Sequence, residues 1–224
     1  MERLIHIIPT PIGNLEDITL RAIKVLNTVD LILAEDTRVT KKLLNHYNIK
    51  TTMLSYHSFN EHKKLNTIIT KIQDGVNIAL VSDAGTPAIS DPGFLLIREC
   101  IQHEIDVVCL PGATACIPAL IKSGIACDRF SFEGFLPTKK GRKKRFLYII
   151  EQEKTSIIYE SPHKIIKTLQ QLQAVCPERK IAVVKEITKL NEKIYRGSAS
   201  EVLEQVSNST IKGEFVIILD GAKK

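Results

Sequence analysis

The sequence predicts an α/β protein of two α/β domains, the first on a mostly parallel sheet and the second on a mixed one. Three observations carry this. Short apolar runs alternate with stretches of helical periodicity through the first half. Long turns rich in Pro and Gly follow several of those runs. The rhythm then changes near residues 112–128, where Gly124 and Asp128 mark a shift in composition. The expected domains are residues 1–112 and 113–224.

The expected strands of the first half are Leu4–Ile8, Leu31–Ala34, Thr52–Tyr56, Ile78–Val81 and Val107–Leu110. Helical spacing joins Leu20, Ile23 and Leu26, then Leu65, Ile68, Ile69 and Ile72, then Leu95, Leu96 and Cys100. Strands linked by helical crossovers form a sheet covered on both faces. After Pro111–Ala115 one more helix runs to about Ser123. In the second half, Phe130–Phe135 alternates like a strand, and a helix follows to about Glu151. Strand Ser156–Tyr159 comes next, then a helix with Ile165, Ile166, Leu169, Leu172 and Val175 on one face. Ile181–Val184, Glu192–Arg196 and Glu214–Leu219 are expected strands, with a short helix over Ala199–Val206.

Apolar residues make up 44% and charged residues 25%, the balance of a soluble chain with a sizeable core. With no Trp and few aromatics, stacking on aromatic platforms is not the main mode of any nucleic-acid binding. The five cysteines (Cys100, Cys109, Cys116, Cys127, Cys176) include no C-x-x-C pair, so buried thiols in a reducing cytosol are expected, with no metal site. The N-terminus has no signal-peptide layout and no apolar run reaches membrane-spanning length; a cytoplasmic location is expected. Lys139, Lys140, Arg142, Lys143, Lys144 and Arg145 place six positive charges in seven residues. Without them the 31 Lys and Arg would equal the 25 Asp and Glu. The basic excess is one local patch, suited to a polyanion or to solvent.

Three loops stand where open α/β sheets hold ligands, at strand carboxyl ends. Pro9–Asn14 follows the first strand, but its two prolines remove donors that would cradle a pyrophosphate. Neither a G-x-G-x-x-G nor a G-x-x-x-x-G-K-[ST] pattern occurs. Ser82–Gly93 holds two glycines, two prolines and two aspartates, too many turn formers for a helix interior. Pro111–Ala115 offers a glycine and a hydroxyl, which allow close backbone approach. A ligand other than a nucleoside polyphosphate fits these loops.

Seven segments occur in an order that resembles one family: Pro9–Ile18, Ala34–Arg38, Ser55–Glu61, Val81–Gly93, Leu110–Ala115, Phe132–Pro137 and Tyr159–His163. The chain resembles the bacterial small-subunit rRNA (cytidine-2′-O)-methyltransferase I family, a branch of the tetrapyrrole methylases, from Ile5 to Leu219. The resemblance implies two α/β domains enclosing S-adenosylmethionine in the cleft between them, usually as a homodimer. It implies a cytidine ribose in the decoding region of 16S rRNA, or the 30S particle, as substrate, with no membrane or DNA partner. Methylation of a tetrapyrrole or protein side chain is the alternative within the superfamily. A catalytically silent RNA-binding protein is the alternative outside it. Family members often carry a further C-terminal segment, whereas this sequence stops at Lys224; RNA affinity, more than chemistry, is expected to feel the difference.

The resemblance places the cofactor against Pro11, Ile12, Asp83, Gly85, Thr86, Thr114, Ala115, Tyr159 and Glu160. Transfer to a 2′-hydroxyl is an in-line displacement that needs alignment and a proton acceptor. Glu35, Asp36 and His57 are the candidate catalytic groups, with Asn60 and Glu61 beside His57 and with Glu61, Lys185 and Glu186 also candidates near the cleft. Asp36 could equally cap the helix that follows. Arg38, Lys140, Arg142, Lys143 and Lys144 are the candidate RNA contacts.

Overall fold

The computed structural model describes residues 3–222. Its chain divides into two compact units, Met1–Thr114 and Ala115–Lys224. In the first, β1 (Leu4–Ile7), β2 (Leu31–Ala34), β3 (Thr52–Ser55), β4 (Ile78–Val81) and β5 (Asp106–Cys109) form one parallel sheet in the order β3-β2-β4-β1-β5. The helices α1 (Leu20–Thr28), α2 (Thr37–His46), α3 (Glu61–Gln73) and α4 (Phe94–Gln102) supply the crossovers.

Local signals set these bounds. Thr19 Oγ1 accepts the Ala22 N–H at 3.0 Å, capping α1, whose buried stripe holds Ala22 and Leu26. All four residues of β4 are buried, as a central strand covered on both faces requires. One apolar cluster, with Ile5, Ile7, Leu33, Ile68, Ile72, Leu80 and Leu96, lies on one face of the sheet. A second, with Ile8, Leu26, Ile32, Leu44 and Val81, lies on the other. Because β4 and β1 are neighbours at the sheet's centre, the loops that leave them are neighbours too.

In the second unit α5 (Cys116–Ser123) leads to β6 (Phe130–Phe135), α6 (Arg142–Ile150), β7 (Thr155–Glu160) and α7 (Ile165–Val175). Then come β8 (Lys180–Lys185), β9 (Lys193–Ser198), α8 (Ala199–Ser207) and β10 (Phe215–Leu219). The sheet order is β6-β7-β10-β8-β9; β6 runs parallel to β7 and the other pairs are antiparallel. The expected mixed sheet is therefore present. Its central strand β10 is wholly buried and packs in a cluster with Phe146, Leu169 and Val202. Ser198 and Glu201 close a capping box at α8.

The cysteines depart from expectation. All five are free, but Cys109 and Cys127 are exposed and only Cys100 is fully buried, its thiol pushed up to about 12 by burial. Both exposed thiols lie at strand ends or in turns, where an apolar neighbour in sequence does not enforce burial. Among the described residues no helix is long and apolar enough to cross a membrane, and no metal-holding group of His, Cys, Asp and Glu occurs.

Candidate functional site

The three loops of the first unit are tied to one another at the carboxyl edge of the sheet. Thr10 and Gly85 form an isolated bridge, each N–H donating to the other's carbonyl at 2.9 Å. The buried Thr10 hydroxyl donates to Ser82 O at 3.0 Å. Thr86 Oγ1 donates to Ala113 O at 3.1 Å, joining the second loop to the third. A Cβ on Gly112 would sit 2.7 Å from Pro9 Cβ, so the third loop touches the first at a distance open only to glycine. Gly85 has φ +83, and Ile12 packs at 3.4 Å from where its Cβ would be. The second loop also holds Ala88 and Ser90 at φ 71 and 65, left-handed conformations that side chains adopt at a cost. Thr10 and Ser82 went unmarked as site residues in the sequence, although both lie within the quoted motifs.

The carboxyl ends of β2 and β4 carry an acidic group. Asp83 Oδ1 accepts the Asp36 N–H at 2.9 Å, and the Asp83 N–H in turn serves Glu35. Burial, then the Asp83 charge, raises the Glu35 carboxyl above its ordinary value; His57 and the Asp83 N–H work against the rise. Asp36 is the N-cap of α2, with its carboxylate accepting the Arg38 N–H at 2.8 Å and pairing with the Arg38 guanidinium at 2.6 Å. Those bonds hold it down to about 2, so it accepts protons poorly. The capping reading of Asp36 describes what the carboxylate does in the structure. Arg38 remains largely exposed, its side chain 88% accessible.

His57 sits in a loop closed by Asn60. Asn60 Oδ1 accepts the His57 N–H at 2.9 Å, which turns its amide nitrogen toward His57 Nε2 at 3.0 Å. The Asn60 contact thus occupies Nε2, while Nδ1 is buried with no hydrogen-bond partner among the described residues.

In the second unit Tyr159 meets Phe132 and Phe135 edge-on, at centroid distances of 4.9 and 5.7 Å. Its neighbour Glu160 is buried, and so is Arg142, which corrects the reading of Arg142 as an RNA contact. Arg142 Nη2 donates to Thr168 Oγ1 at 2.7 Å and to Gln171 Oε1 at 3.3 Å, and lies 3.5 Å from Glu160 Oε2. Thr168 Oγ1 donates to Glu160 at 2.6 Å, and the Ser161 N–H bonds the same carboxylate. Arg142 is thus no exposed phosphate contact, and the Glu160 side chain is committed to the protein. Lys140, Lys143 and Lys144 are exposed as expected. Lys185 donates to Thr210 O, and Glu186 bonds Lys189 and the Glu214 N–H, so both are engaged within this unit.

Thr114 and Ala115 flank the division between the units. A parallel sheet whose Pro- and Gly-bearing loops interlock at its carboxyl edge, followed by a mixed sheet, defines the class. The family of Tetrapyrrole (Corrin/Porphyrin) Methylases matches residues 4–203. Solved structures agree on the fold: a cobalt precorrin-4 methyltransferase of cobalamin biosynthesis has TM-score 0.72 at 16% identity, covering 97% of this chain and 95% of that one. A diphthine synthase has TM-score 0.73 at 10% identity, covering 97% and 90%.

Closer relatives narrow the branch. "Ribosomal RNA small subunit methyltransferase I" of Synechocystis is 48% identical over 98% of this chain and 79% of its own length. The protein of that name from Haemophilus influenzae is 49% identical over 99% and 80%, and that from Escherichia coli O157:H7 is 47% identical over 98% and 78%. The chain belongs to the tetrapyrrole methylases and, within them, to the ribosomal RNA small subunit methyltransferase I family.

Proposed function

We propose that this protein is an S-adenosylmethionine-dependent methyltransferase that modifies a cytidine ribose 2′-oxygen in 16S rRNA. The observation that carries the reading is the near full-length likeness, at 44–49% identity, to relatives with that rRNA methyltransferase name. The target cytidine lies in the decoding region, and the enzyme works as a homodimer in the cytoplasm.

The residues of the first unit suit the cofactor. Glu35, Asp36 and Asp83 against the single cation Arg38 make the ends of β2 and β4 net negative, which favours a sulfonium and an ammonium over a phosphate. Small residues at Ala84, Gly85 and Ala113 let a ligand reach backbone groups there. Pro11, Ile12, Asp83, Gly85, Thr86 and Thr114 would hold the donor. Asp83 offers it the carboxylate oxygen not used by Asp36. When bound, the cofactor supplies an electrophilic methyl group.

The chain's own work is to align the ribose hydroxyl and take its proton. Glu35 is the group best poised for the proton, because burial and the Asp83 charge raise its affinity for one. Asp36 fixes Arg38, which would take a phosphate beside the target nucleotide. The exposed Lys139, Lys140, Lys143 and Lys144 would hold the RNA backbone by long-range attraction.

The test is mass spectrometry of rRNA nucleosides from cells with and without the protein. Loss of one 2′-O-methylated cytidine species in its absence supports the reading. An unchanged nucleoside profile contradicts it.

A further inference from the structure

Phe59 is 93% exposed at the tip of the loop that joins β3 to α3. A lone exposed apolar side chain needs no explanation, but three features set this one apart. First, its loop is braced. The Asn60 and Glu61 N–H groups both donate to His57 O at 2.9 Å, and Asn60 Oδ1 takes the His57 N–H at 2.9 Å. Lys64 Nζ and the Asn60 amide both donate to Ser55 O, at 2.6 and 3.4 Å, so the loop's base is fixed as well. Second, the ring is oriented: the His57 ring meets it edge-on at 6.0 Å and 66°, leaving most of its surface to solvent. Third, its loop leaves the sheet beside the acidic group: Ser55 pairs with Ala34 and the Tyr56 N–H donates to Ala34 O at 2.7 Å, next to Glu35 and to Asp36, which anchors the exposed Arg38.

A ring carried on a braced backbone costs less to order, when a flat partner covers it, than one on a free loop. Nucleobases are such partners when they are unpaired, since each then offers a π-face. We propose that Phe59 is a base-stacking platform that receives an unpaired nucleobase of the RNA substrate while Arg38 takes a phosphate of the same strand. The platform selects single-stranded RNA, a task that the lysines of α6 cannot perform because phosphates are common to paired and unpaired regions. This inference rests on the functional reading above for its substrate class, RNA.

The test uses the full chain with a short cytidine-bearing single-stranded oligoribonucleotide, the same oligonucleotide annealed to its complement, and undermethylated small subunits. Binding is followed by fluorescence anisotropy, and methyl transfer is measured in parallel. Phe59→Ala is expected to weaken single-strand binding by roughly tenfold, from the value of one stacked base. Phe59→Trp should restore binding, duplex binding should not change, and the thermal midpoint and S-adenosylmethionine affinity should match the parent. Single-strand binding by Phe59→Ala equal to the parent's, or no single-strand binding by the parent, overturns the proposal. Full single-strand binding by Phe59→Leu also overturns it, because that result makes Phe59 an apolar contact such as a ribosomal protein would use. The functional reading fails separately, by absence of methyl transfer from the parent to small subunits, whatever the binding data show.

Discussion

Asp83 Oδ1 accepts the Asp36 backbone N–H at 2.9 Å, a bond that spans 47 positions of sequence and ties the loop after β4 to the start of α2. One carboxylate therefore fixes both the loop proposed to hold the methyl donor and the helix that presents Arg38. Replacing it by Ala strands a donor that is partly buried, at a cost of about 1–3 kcal/mol. Asp83→Ala should lower the unfolding free energy by that amount and weaken S-adenosylmethionine binding, while Asp83→Asn, which keeps the acceptor, should recover most of the stability. Chemical denaturation and calorimetry on the three proteins check this.

Asp36 and Glu35 are adjacent and respond to acid with opposite signs. The folded Asp36 is depressed from 3.8 to about 2, chiefly by its hydrogen bond to Arg38; its contribution is full above 3.8 and lost as pH falls through about 2. Glu35 is raised above 4.5, so its contribution is full below 4.5 and lost as pH rises through its folded value. Thermal midpoints measured against pH should lose part of their acid limb in Asp36→Asn. In Glu35→Gln they should lose part of the decline above pH 4.5. The acid limb of methyl transfer should lie above pH 4.5 in the parent, and Glu35→Gln should abolish most of the activity while weakening cofactor binding only by the loss of one charge.

Arg142 and Lys143 are adjacent in the basic run yet should behave as different kinds of residue. Arg142→Met leaves the buried Glu160 without its cation and should cost about 3 kcal/mol of stability. The Lys143→Ala, Lys144→Ala pair should leave the thermal midpoint in place and weaken RNA binding, lowering the slope of log affinity against log salt by about 1 for each phosphate no longer neutralised. Thermal unfolding and a salt series with small subunits separate the two.

The interlock of the loops predicts one further effect. Gly112→Ala places a methyl group 2.7 Å from the Pro9 ring, and overpacking of that kind costs about 1–3 kcal/mol. The first and third loops would have to part, so cofactor affinity should fall with stability. Lys212→Ala, an exposed change in the other unit, serves as the comparison and should leave both unchanged. Calorimetry with S-adenosylmethionine is the measurement.

The strands of both sheets were legible because each is a short apolar run between turn formers, and the loops because Pro and Gly cluster there. The inward turn of Arg142 was partly legible as well. Arg142, Phe146, Ile149 and Ile150 share the buried face of α6 at helical spacing, but a run of six charges masks the one that falls on that stripe. The partners of Arg142 could not be read, since Thr168 and Glu160 come from α7 and β7 and no local pattern pairs them. The same holds for Asp83 and Asp36. Each is a plausible turn residue in sequence, and the bond between them exists because β2 and β4 are neighbours in the sheet. Local chemistry set the elements; long-range pairing decided which polar groups were left for a ligand.

The most direct measurement incubates the purified protein with isotopically labelled S-adenosylmethionine and small subunits that lack the modification, then digests the rRNA to nucleosides. The account predicts label in 2′-O-methylcytidine, about one per particle, and none with Glu35→Gln. Label in a methylated base or in ribosomal protein, or no label in the particle at all, would contradict it.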